Sequence, residues 1–142
     1  MSDRMPAPAA PAGGYTRTVE LRTRWSDEDN HGVLNNAVYL TLFEEARLAL
    51  FTELGAMDGA RFPFVLAQAG VAFRSPGRGG CAVSVDVATL RVGTRSFTQG
   101  YRVRGPGGET WCEADALLVA VDEHGAACAL PPALEAAARA LA

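Results

Sequence analysis

The residues best suited to chemistry lie together in one segment, between Trp25 and Tyr39. Just before a long apolar run, this segment holds acidic side chains, a histidine, a glycine and a pair of adjacent asparagines: Asp27, Glu28, Asp29, His31, Gly32, Asn35 and Asn36. Polar groups at this density are costly to bury unless they bind each other or a ligand. A carboxylate near a helix N-terminus, where free backbone amides can hold an oxyanion, suits acyl-transfer chemistry.

A long helix is predicted directly after these polar residues. Asn35 or Asn36 is a good N-cap, and the apolar run that follows stops at Gly55. Apolar residues cover nearly the whole circumference of this helix, apart from a narrow polar stripe that includes Glu44 and Glu45. Since the run is too short to cross a membrane, the helix is expected to be enclosed by the rest of the fold.

One strand is predicted before this helix and four after it, from their apolar and β-compatible residues and from the alternation of apolar and polar positions. They cover Thr16–Trp25, Phe64–Phe73, Cys81–Val92, Phe97–Arg104 and Trp111–Val121. A short Ala-rich helix is expected at Pro131–Leu141. This order of elements predicts an α+β fold, in which a curved antiparallel five-stranded sheet wraps around one long central helix.

The composition is typical of one globular domain. With 142 residues, 49% of them apolar and 20% charged, the chain fits a single domain, assigned to residues 15–142. Residues 1–14 are rich in Pro, Ala and Gly and are expected to form a disordered tail rather than a signal peptide. The net charge of −3 gives no general case for a nucleic-acid partner. No apolar run reaches the roughly 18 residues of a membrane span.

The cysteines give no sign of a disulfide framework or a metal site. Cys81, Cys112 and Cys128 are odd in number and widely spaced, and none of them forms a CxxC pair. No metal ligand is therefore assigned. A reduced, cytoplasmic compartment is the expected location.

The polar segment and the helix together form a long motif. It reads Trp25-Ser26-Asp27-x-Asp29-x-x-Gly32-x-x-Asn35-Asn36-x-x-Tyr39-Leu40-x-x-Phe43-Glu44-x-Ala46-Arg47. A shorter motif between two predicted strands reads Gly93-Thr94-Arg95-Ser96-Phe97. Together with the order of elements, these motifs resemble the hotdog-fold acyl-CoA thioesterases of the 4-hydroxybenzoyl-CoA thioesterase-like family. The resemblance covers the chain from Arg17 to Asp122.

The resemblance implies hydrolysis of a thioester of coenzyme A, or of a related carrier protein, to a free carboxylic acid and a thiol. It also implies a homodimer, often paired into a tetramer, with active sites at the subunit interface. The family's catalytic carboxylate falls on Asp29, as nucleophile or general base, and the backbone amide near Asn36 would polarise the thioester carbonyl. Coenzyme A enters as part of the substrate, and no separate cofactor is implied.

The chain departs from the family at its histidine. Many relatives read Gly-His-Val-Asn-Asn, whereas this chain reads Gly32-Val33-Leu34-Asn35-Asn36 and has His31 before the glycine. The role of the family's histidine therefore does not transfer to His31. A histidine beside a carboxylate could act as an acid or base, but a hydrogen-bonded loop histidine is more common.

Structural roles stay open for the other polar residues of the first motif. Asp29 could satisfy backbone amides in a turn, and Asp27 is expected to organise that turn. Asn35 and Asn36 could cap the helix, and either side chain could also steer the substrate.

Glu44 and Glu45 are a second source of carboxylates. Some hotdog enzymes take their catalytic carboxylate from the central helix, so either residue could act from a neighbouring subunit. The simpler expectation is that they pair with Arg47 or face solvent.

Arginines near the predicted strand ends are candidates for binding coenzyme A. Arginine suits the pyrophosphate and the 3′-phosphate of this molecule, because its planar guanidinium binds phosphate oxygens in pairs. Gly93 and Thr94 would allow close approach of the backbone to the ligand, and Thr94 and Ser96 are further candidates for binding it. Four arginines are expected to cluster there as a phosphate-binding rim: Arg74, Arg78, Arg91 and Arg95.

Two other functions are compatible with a hotdog fold. Hotdog hydratases bind similar thioesters, but their motif places a histidine five residues after the catalytic aspartate, with an Asn-Pro between. Here Asn30-His31 directly follows Asp29, so neither the spacing nor the proline fits. The second alternative is a non-catalytic module that binds acyl-CoA or an acyl-carrier protein. Asp29 argues against it, because a pure binder gains little from an acid that faces an acyl carbonyl.

Overall fold

A five-stranded antiparallel sheet and one long helix form the centre of the structure, a computed structural model that describes residues 3–142. The strands are β1 Arg17–Arg22, β2 Phe64–Phe73, β3 Ala82–Val92, β4 Ser96–Arg104 and β5 Thr110–Ala120. The helices are α1 Asn36–Glu53 and α2 Pro132–Ala140. The strand order is β1-β3-β4-β5-β2, and every neighbouring pair is antiparallel. This architecture confirms the predicted hotdog fold.

Helix α1 has the boundaries that its end residues predict. The Asn35 side chain caps it by accepting a hydrogen bond from the Ala37 amide at 3.0 Å. The helix ends just before Gly55, whose φ of +71° lies in the left-handed region that favours glycine. One face of α1 is buried, and its residues recur at helical spacing: Tyr39, Leu42, Phe43, Ala46, Arg47, Leu50 and Phe51.

Aromatic contacts attach this buried face to the sheet. Phe43 stacks on Tyr101 of β4, with ring centroids 4.8 Å apart. Phe51 contacts Phe64 of β2 at 5.3 Å and Phe97 of β4 at 5.8 Å. Small residues on one face of β5 are buried in the same core, where they allow the helix to approach the sheet closely: Cys112, Ala114, Ala116 and Ala120.

The expectation that the fold encloses α1 on all sides is wrong for a single chain. Leu40 and Leu48 of the helix are 41% and 45% exposed. Val65 and Phe73 on the edge strand β2 are 50% and 49% exposed. The reason is that one sheet covers only one side of a helix. Tyr39 of the helix contacts the exposed Phe73 of β2, with ring centroids 5.4 Å apart, so the start of α1 lies beside this edge strand.

The strand predicted to reach Trp25 ends at Arg22, and a 3-10 turn covers Trp25–Asp27. The cause is local: the Asp27 side chain accepts a hydrogen bond from the Arg24 amide at 2.7 Å, which bends the chain out of the sheet. The other predicted strands and the terminal helix agree with the structure to within one residue at each end.

Residues 3–14 contain no helix or strand. They lie on the face of the sheet opposite α1, where the Ala9 amide donates a hydrogen bond to Asp115 Oδ2 at 2.8 Å. The sequence predicted a disordered tail at residues 1–14 and did not predict this contact. The disorder stays a prediction. Met1 and Ser2 lie outside the described residues. Within residues 3–142, no helix is long and apolar enough to cross a membrane.

Candidate active site

The loop between β1 and α1 is closed by Asp27. This buried carboxylate accepts from the Arg24 amide at 2.7 Å and pairs with the Arg24 guanidinium at 3.1 Å. The Asp27 carbonyl accepts from the Asn35 amide at 2.9 Å. Asp27 thereby ties the start of the loop to the start of α1, which is the organising role that the sequence predicted.

Asp29 lies at the tip of this loop. Its amide donates to the Val33 carbonyl at 2.8 Å, and its carbonyl accepts from the Gly32 amide at 3.1 Å. Gly32 has a φ of +74°, so the tight turn needs a glycine at this point. Asp29 Oδ1 accepts from the His31 amide at 2.8 Å. This hydrogen bond fixes the orientation of the carboxylate. It is also the kind of contact expected if Asp29 satisfies backbone amides in the turn.

His31 contacts Asp29 through its backbone. The residue as a whole is exposed at the loop surface. This placement fits a loop histidine better than a partner in proton transfer with Asp29.

The start of α1 offers a backbone donor. Asn35, and not Asn36, is the N-cap: its side chain binds the Ala37 amide, and its carbonyl accepts from the Val38 amide at 2.9 Å. Neither bond uses the amide of Asn36, the first residue of the helix. An amide in this position can donate to an anionic oxygen outside the helix.

A second loop, between β2 and β3, packs against the first. The Leu34 amide donates to the Gly77 carbonyl at 2.9 Å, and the Gly79 amide donates to Glu28 Oε2 at 2.9 Å. The Thr23 hydroxyl donates to the Arg78 carbonyl at 2.7 Å. The segment Pro76–Gly80 therefore supports both ends of the Asp29 loop.

Two glycines in this second loop have no room for a side chain. A Cβ atom at Gly77 would lie 2.5 Å from Tyr39 Oη and 2.7 Å from Trp111 Cε3. A Cβ atom at Gly79 would collide with the Arg24 carbonyl oxygen. The supporting role of these glycines was missed from the sequence, although the glycine-rich run itself was a visible signal.

Tyr39 joins the helix to the second loop. Burial raises its pKa to about 12, an effect that Cys112 reinforces and that a backbone hydrogen bond with Gly77 partly opposes. The phenol is therefore neutral at physiological pH. Burial likewise raises the pKa of Cys112 to about 12, so this thiol is not poised as a nucleophile.

Clefts lie on both sides of the second loop. One, of about 380 Å³, separates the two loops, and its lining includes Glu28, Gly32 and Arg78. The other, of about 690 Å³, lies towards the β4–β5 hairpin and is lined by Arg78, Glu109 and Trp111 among others. Arg78 borders both clefts, which places one of the predicted phosphate-binding arginines at the candidate site.

The expected clustering of the arginines is wrong for a single chain. Arg74 and Arg78 lie at the end of the sheet that carries the Asp29 loop, where Arg74 also pairs with Glu113 at 3.3 Å. Four of the predicted binding residues lie at the opposite end, in or next to the β3–β4 hairpin: Arg91, Thr94, Arg95 and Ser96. A strand of the length of β3 spans ~36 Å. The sequence predicts that all of these residues lie near strand ends, but it does not show which strand ends lie at the same edge of the sheet.

The helix carboxylates and Arg47 do not pair. Glu44 and Glu45 are exposed, which is the solvent alternative of the prediction. Arg47 is buried instead and donates to Tyr101 Oη at 3.0 Å, and its Nε has no hydrogen-bond partner among the described residues. The Tyr101 hydroxyl in turn donates to Gln99 Oε1 at 2.7 Å.

The described part of the chain brings together no group of three or more His, Cys, Asp and Glu residues that could hold a metal ion. The arrangement instead combines a carboxylate held in a turn, a helix N-terminus and an arginine at the edge of a cleft. These groups suit attack on an activated carbonyl and binding of an anionic carrier.

Comparison by sequence gives one family. The family model described as Thioesterase superfamily matches residues 31–112. The match begins two residues after Asp29, in the loop before α1, and extends into β5. No curated protein sequence matches this chain significantly.

Solved structures share the fold over nearly the whole chain. A thioesterase from Thermus thermophilus, complexed with coenzyme A and Zn, is 29% identical, with a TM-score of 0.78 and 89% of this chain and 99% of that chain covered. A protein from Pseudomonas aeruginosa strain PAO1 is 21% identical, with a TM-score of 0.82 and coverage of 94% and 96%. A 1,4-dihydroxy-2-naphthoyl-CoA thioesterase from Synechocystis is 17% identical, with a TM-score of 0.76 and coverage of 86% and 94%.

Proposed function

Since the chain belongs to the thioesterase superfamily, we propose that it hydrolyses an acyl thioester of coenzyme A to a carboxylic acid and the free thiol. The observation that carries this proposal is the junction of the two loops with α1, where the turn that holds Asp29 directly precedes the helix N-terminus. Coenzyme A as the carrier is supported by the Thermus thermophilus thioesterase, which was solved with that molecule.

Asp29 is the residue that we propose acts on the thioester carbonyl carbon, as a nucleophile or as a general base. As a nucleophile, its carboxylate attacks the carbon, the C–S bond breaks, and the departing thiolate takes up a proton. Water then hydrolyses the resulting mixed anhydride and restores the carboxylate. As a general base, Asp29 takes a proton from water, whose oxygen attacks the same carbon; the C–S bond then breaks, and the departing thiolate takes up the proton. In both routes the His31 amide holds Oδ1 and fixes the direction of the carboxylate.

We propose that the N-terminus of α1 stabilises the oxyanion that develops on the thioester carbonyl oxygen. The Asn36 amide, which takes no part in the two capping hydrogen bonds of Asn35, is the proposed donor. One well-placed donor of this kind is worth ~10²–10³ in rate. The helix dipole adds ~0.3–1 kcal/mol of electrostatic stabilisation. Asn35 acts by holding the helix start in place, and its side chain is already engaged by Ala37.

A second copy of the chain is the proposed partner, joined along β2. This strand is an edge of the sheet, and it exposes the apolar side chains of Val65, Leu66 and Phe73. Native proteins cover edges and apolar patches of this kind. Antiparallel pairing about a two-fold axis would set the Phe64 end of one β2 strand beside the Phe73 end of the other.

Such a dimer would complete the phosphate-binding rim. The end of one copy that carries Arg74 and Arg78 would lie beside the far hairpin of the other copy, which carries the remaining predicted residues: Arg91, Thr94, Arg95 and Ser96. The residues that a single chain keeps apart would then bind one molecule of coenzyme A between two subunits.

The cytoplasm is the proposed location. Cys81, Cys112 and Cys128 are all free, which fits a reducing compartment. Neither a nucleic acid nor a membrane is proposed as a partner.

The test is a thiol-release assay with a panel of aliphatic and aromatic acyl-CoA substrates, and with an acyl-carrier protein thioester. The proposal predicts stoichiometric release of acid and free thiol from at least one acyl-CoA. Binding of these thioesters without turnover of any of them would contradict the proposal and identify a binding module. Hydration of an enoyl thioester without thiol release would contradict it in favour of a hydratase.

A further inference from the structure

Arg61 lies in a tight turn directly before the edge strand β2. The Asp58 amide donates to the Arg61 carbonyl at 2.8 Å, and the Arg61 amide donates to the Asp58 carbonyl at 2.9 Å. Gly59, inside this turn, has a φ of +61°, in the left-handed region that favours glycine. The Pro63 carbonyl accepts from the Val121 amide at 3.0 Å, which ties the chain after the turn to the end of β5. The backbone therefore holds Arg61 in a defined position relative to β2.

The guanidinium of Arg61 has no partner among residues 3–142. The residue is exposed, and its side chain forms neither a salt bridge nor a hydrogen bond there. By contrast, Arg74, at the other end of β2, pairs with Glu113. Arg78, which borders both clefts of the candidate site, also forms no salt bridge within the described residues. Arginines of this kind can bind an anion without first breaking an ion pair.

The middle of β2 shows where a second strand can pair. In a strand that packs one face on the core, exposed and buried residues alternate. In β2 every residue from Val65 to Ala69 is exposed, around a bulge at Ala67. This run leaves apolar side chains uncovered at an unpaired strand edge, and the same strand of a second copy can cover both.

Antiparallel pairing of two β2 strands brings Arg61 of one copy to the second loop of the other. Residues related by a two-fold axis lie equally far from it, on opposite sides. An axis at Ala67, the centre of the exposed run, sets Arg61 of one copy opposite Phe73 of the other. An axis at Ala69 sets it opposite Gly77. Because neighbouring strands are ~4.8 Å apart, Arg61 then lies beside the segment that leads into this loop.

The cleft between the two loops of the candidate site lies at this point. Its lining includes Gly32, Gly77 and Arg78, so it borders both the turn that holds Asp29 and the segment opposite Arg61 of the second copy. One unpaired arginine from each copy at the same cleft suits a diphosphate, since each planar guanidinium binds phosphate oxygens in pairs.

We propose that Arg61 of a second copy binds the diphosphate of coenzyme A together with Arg78. This inference rests on the proposed function, to which it adds a binding residue that neither sequence motif contains. Arg61 lies closer to the paired edge than Arg91 and Arg95 do, because it directly precedes β2, whereas β5 separates the hairpin of Arg91 and Arg95 from that strand. These two arginines are then left for the 3′-phosphate.

Calorimetric titration with free coenzyme A tests this contact without any turnover. Arg61→Ala is expected to raise the Kd for coenzyme A by ~10-fold or more, because a charge-assisted contact is lost. Arg61→Lys, which keeps the charge but not the paired donors, should give an intermediate Kd. Arg139→Ala is the matched control, since it removes another exposed arginine, on α2, and should leave the Kd unchanged. Equal Kd values for Arg61→Ala and the wild type would overturn the inference.

A comparison of two thioesters separates diphosphate binding from a structural effect. Arg61→Ala should lower kcat/KM for an acyl-CoA, but it should leave kcat/KM unchanged for the same acyl group on pantetheine, which has no phosphate. Equal losses with both substrates would overturn the inference. Binding of coenzyme A that depends on Arg61, without hydrolysis of any thioester, would support this inference and contradict the proposed hydrolysis.

Mixed dimers show whether Arg61 acts from the second copy. Arg61→Ala and Arg78→Ala are each expected to bind coenzyme A weakly. A mixed dimer of the two variants contains one site with both arginines intact, so half of the sites should recover the wild-type Kd. Weak binding at every site, when subunit exchange is verified, would overturn the inference, because the two arginines would then not meet across an interface.

Discussion

Glu28 Oε2 accepts a hydrogen bond from the Gly79 amide at 2.9 Å and thereby joins the loop that carries Asp29 to the loop between β2 and β3. Glu28 is the residue immediately before Asp29. A contact at this point restrains the backbone that sets the position of the proposed catalytic carboxylate. The Gly77 carbonyl, which accepts from the Leu34 amide, restrains the other side of the same loop.

Loss of this contact should reduce catalysis more than stability. We expect Glu28→Ala to lower kcat by ~10-fold, because small displacements of a reacting group are costly in rate, while KM and the melting temperature change little. Glu28→Gln keeps an acceptor oxygen and should stay close to wild type. Equal kcat for Glu28→Ala and the wild type would show that the contact does not position Asp29.

Gly79 should tolerate no side chain. Gly79→Ala is expected to lower the free energy of unfolding by ~1–3 kcal/mol, because its Cβ collides with the Arg24 carbonyl and the backbone must shift. Gly13→Ala is the matched control, since a Cβ there meets nothing within 4 Å. Denaturant unfolding of the two variants measures the difference. Equal stabilities would mean that the loops can separate without cost.

Asp86 should make the fold sensitive to acid. Burial raises its pKa, but hydrogen bonds from Arg104, Thr18 and Arg102 outweigh burial and lower the pKa from 3.8 to about 2. The folded carboxylate therefore contributes roughly 2 kcal/mol above pH 4, and this contribution is lost as the pH falls towards 2. Urea unfolding should show a shallower loss of stability between pH 4 and pH 2 for Asp86→Asn than for the wild type. The same slope for both proteins would contradict this assignment.

The sequence predicts local elements better than the relations between them. Asn35 and Gly55 define the ends of α1 because capping is a property of a few neighbouring residues. The two groups of arginines were expected in one cluster, yet they lie at opposite ends of the sheet. Which strand ends meet depends on the order β1-β3-β4-β5-β2, and no single segment contains that order.

Long-range contacts explain what else the sequence did not predict. Arg47 was expected as a possible partner of Glu44 or Glu45, but it turns inward to Tyr101, 54 residues further along the chain. The hydrogen bond from the Ala9 amide to Asp115 joins residues 106 positions apart. By contrast, the turn around Asp27 and Asp29 was predictable, because its hydrogen bonds join residues within one short loop.

Mixed dimers test whether two subunits share the binding site. The double variant Arg91→Ala/Arg95→Ala and the variant Asp29→Asn should each have little activity with acyl-CoA at low substrate concentration. If the hairpin acts across the interface, a mixed dimer contains one site with both its Asp29 and its arginines intact, and about half of the activity should return. Failure of mixing to restore activity, when subunit exchange is verified, would place the arginines outside the site or in the same subunit as Asp29.

The most direct test of the proposed function is the kcat of Asp29→Asn for an acyl-CoA that the wild type hydrolyses. Asparagine keeps the Oδ1 acceptor for the His31 amide, so the turn is preserved while the charge and the nucleophile are removed. We predict a loss of ~10²-fold or more in kcat with an unchanged melting temperature, and only a modest loss for His31→Ala. A loss below about fivefold for Asp29→Asn would contradict the account, because a carboxylate that only caps the turn is replaced by asparagine at little cost.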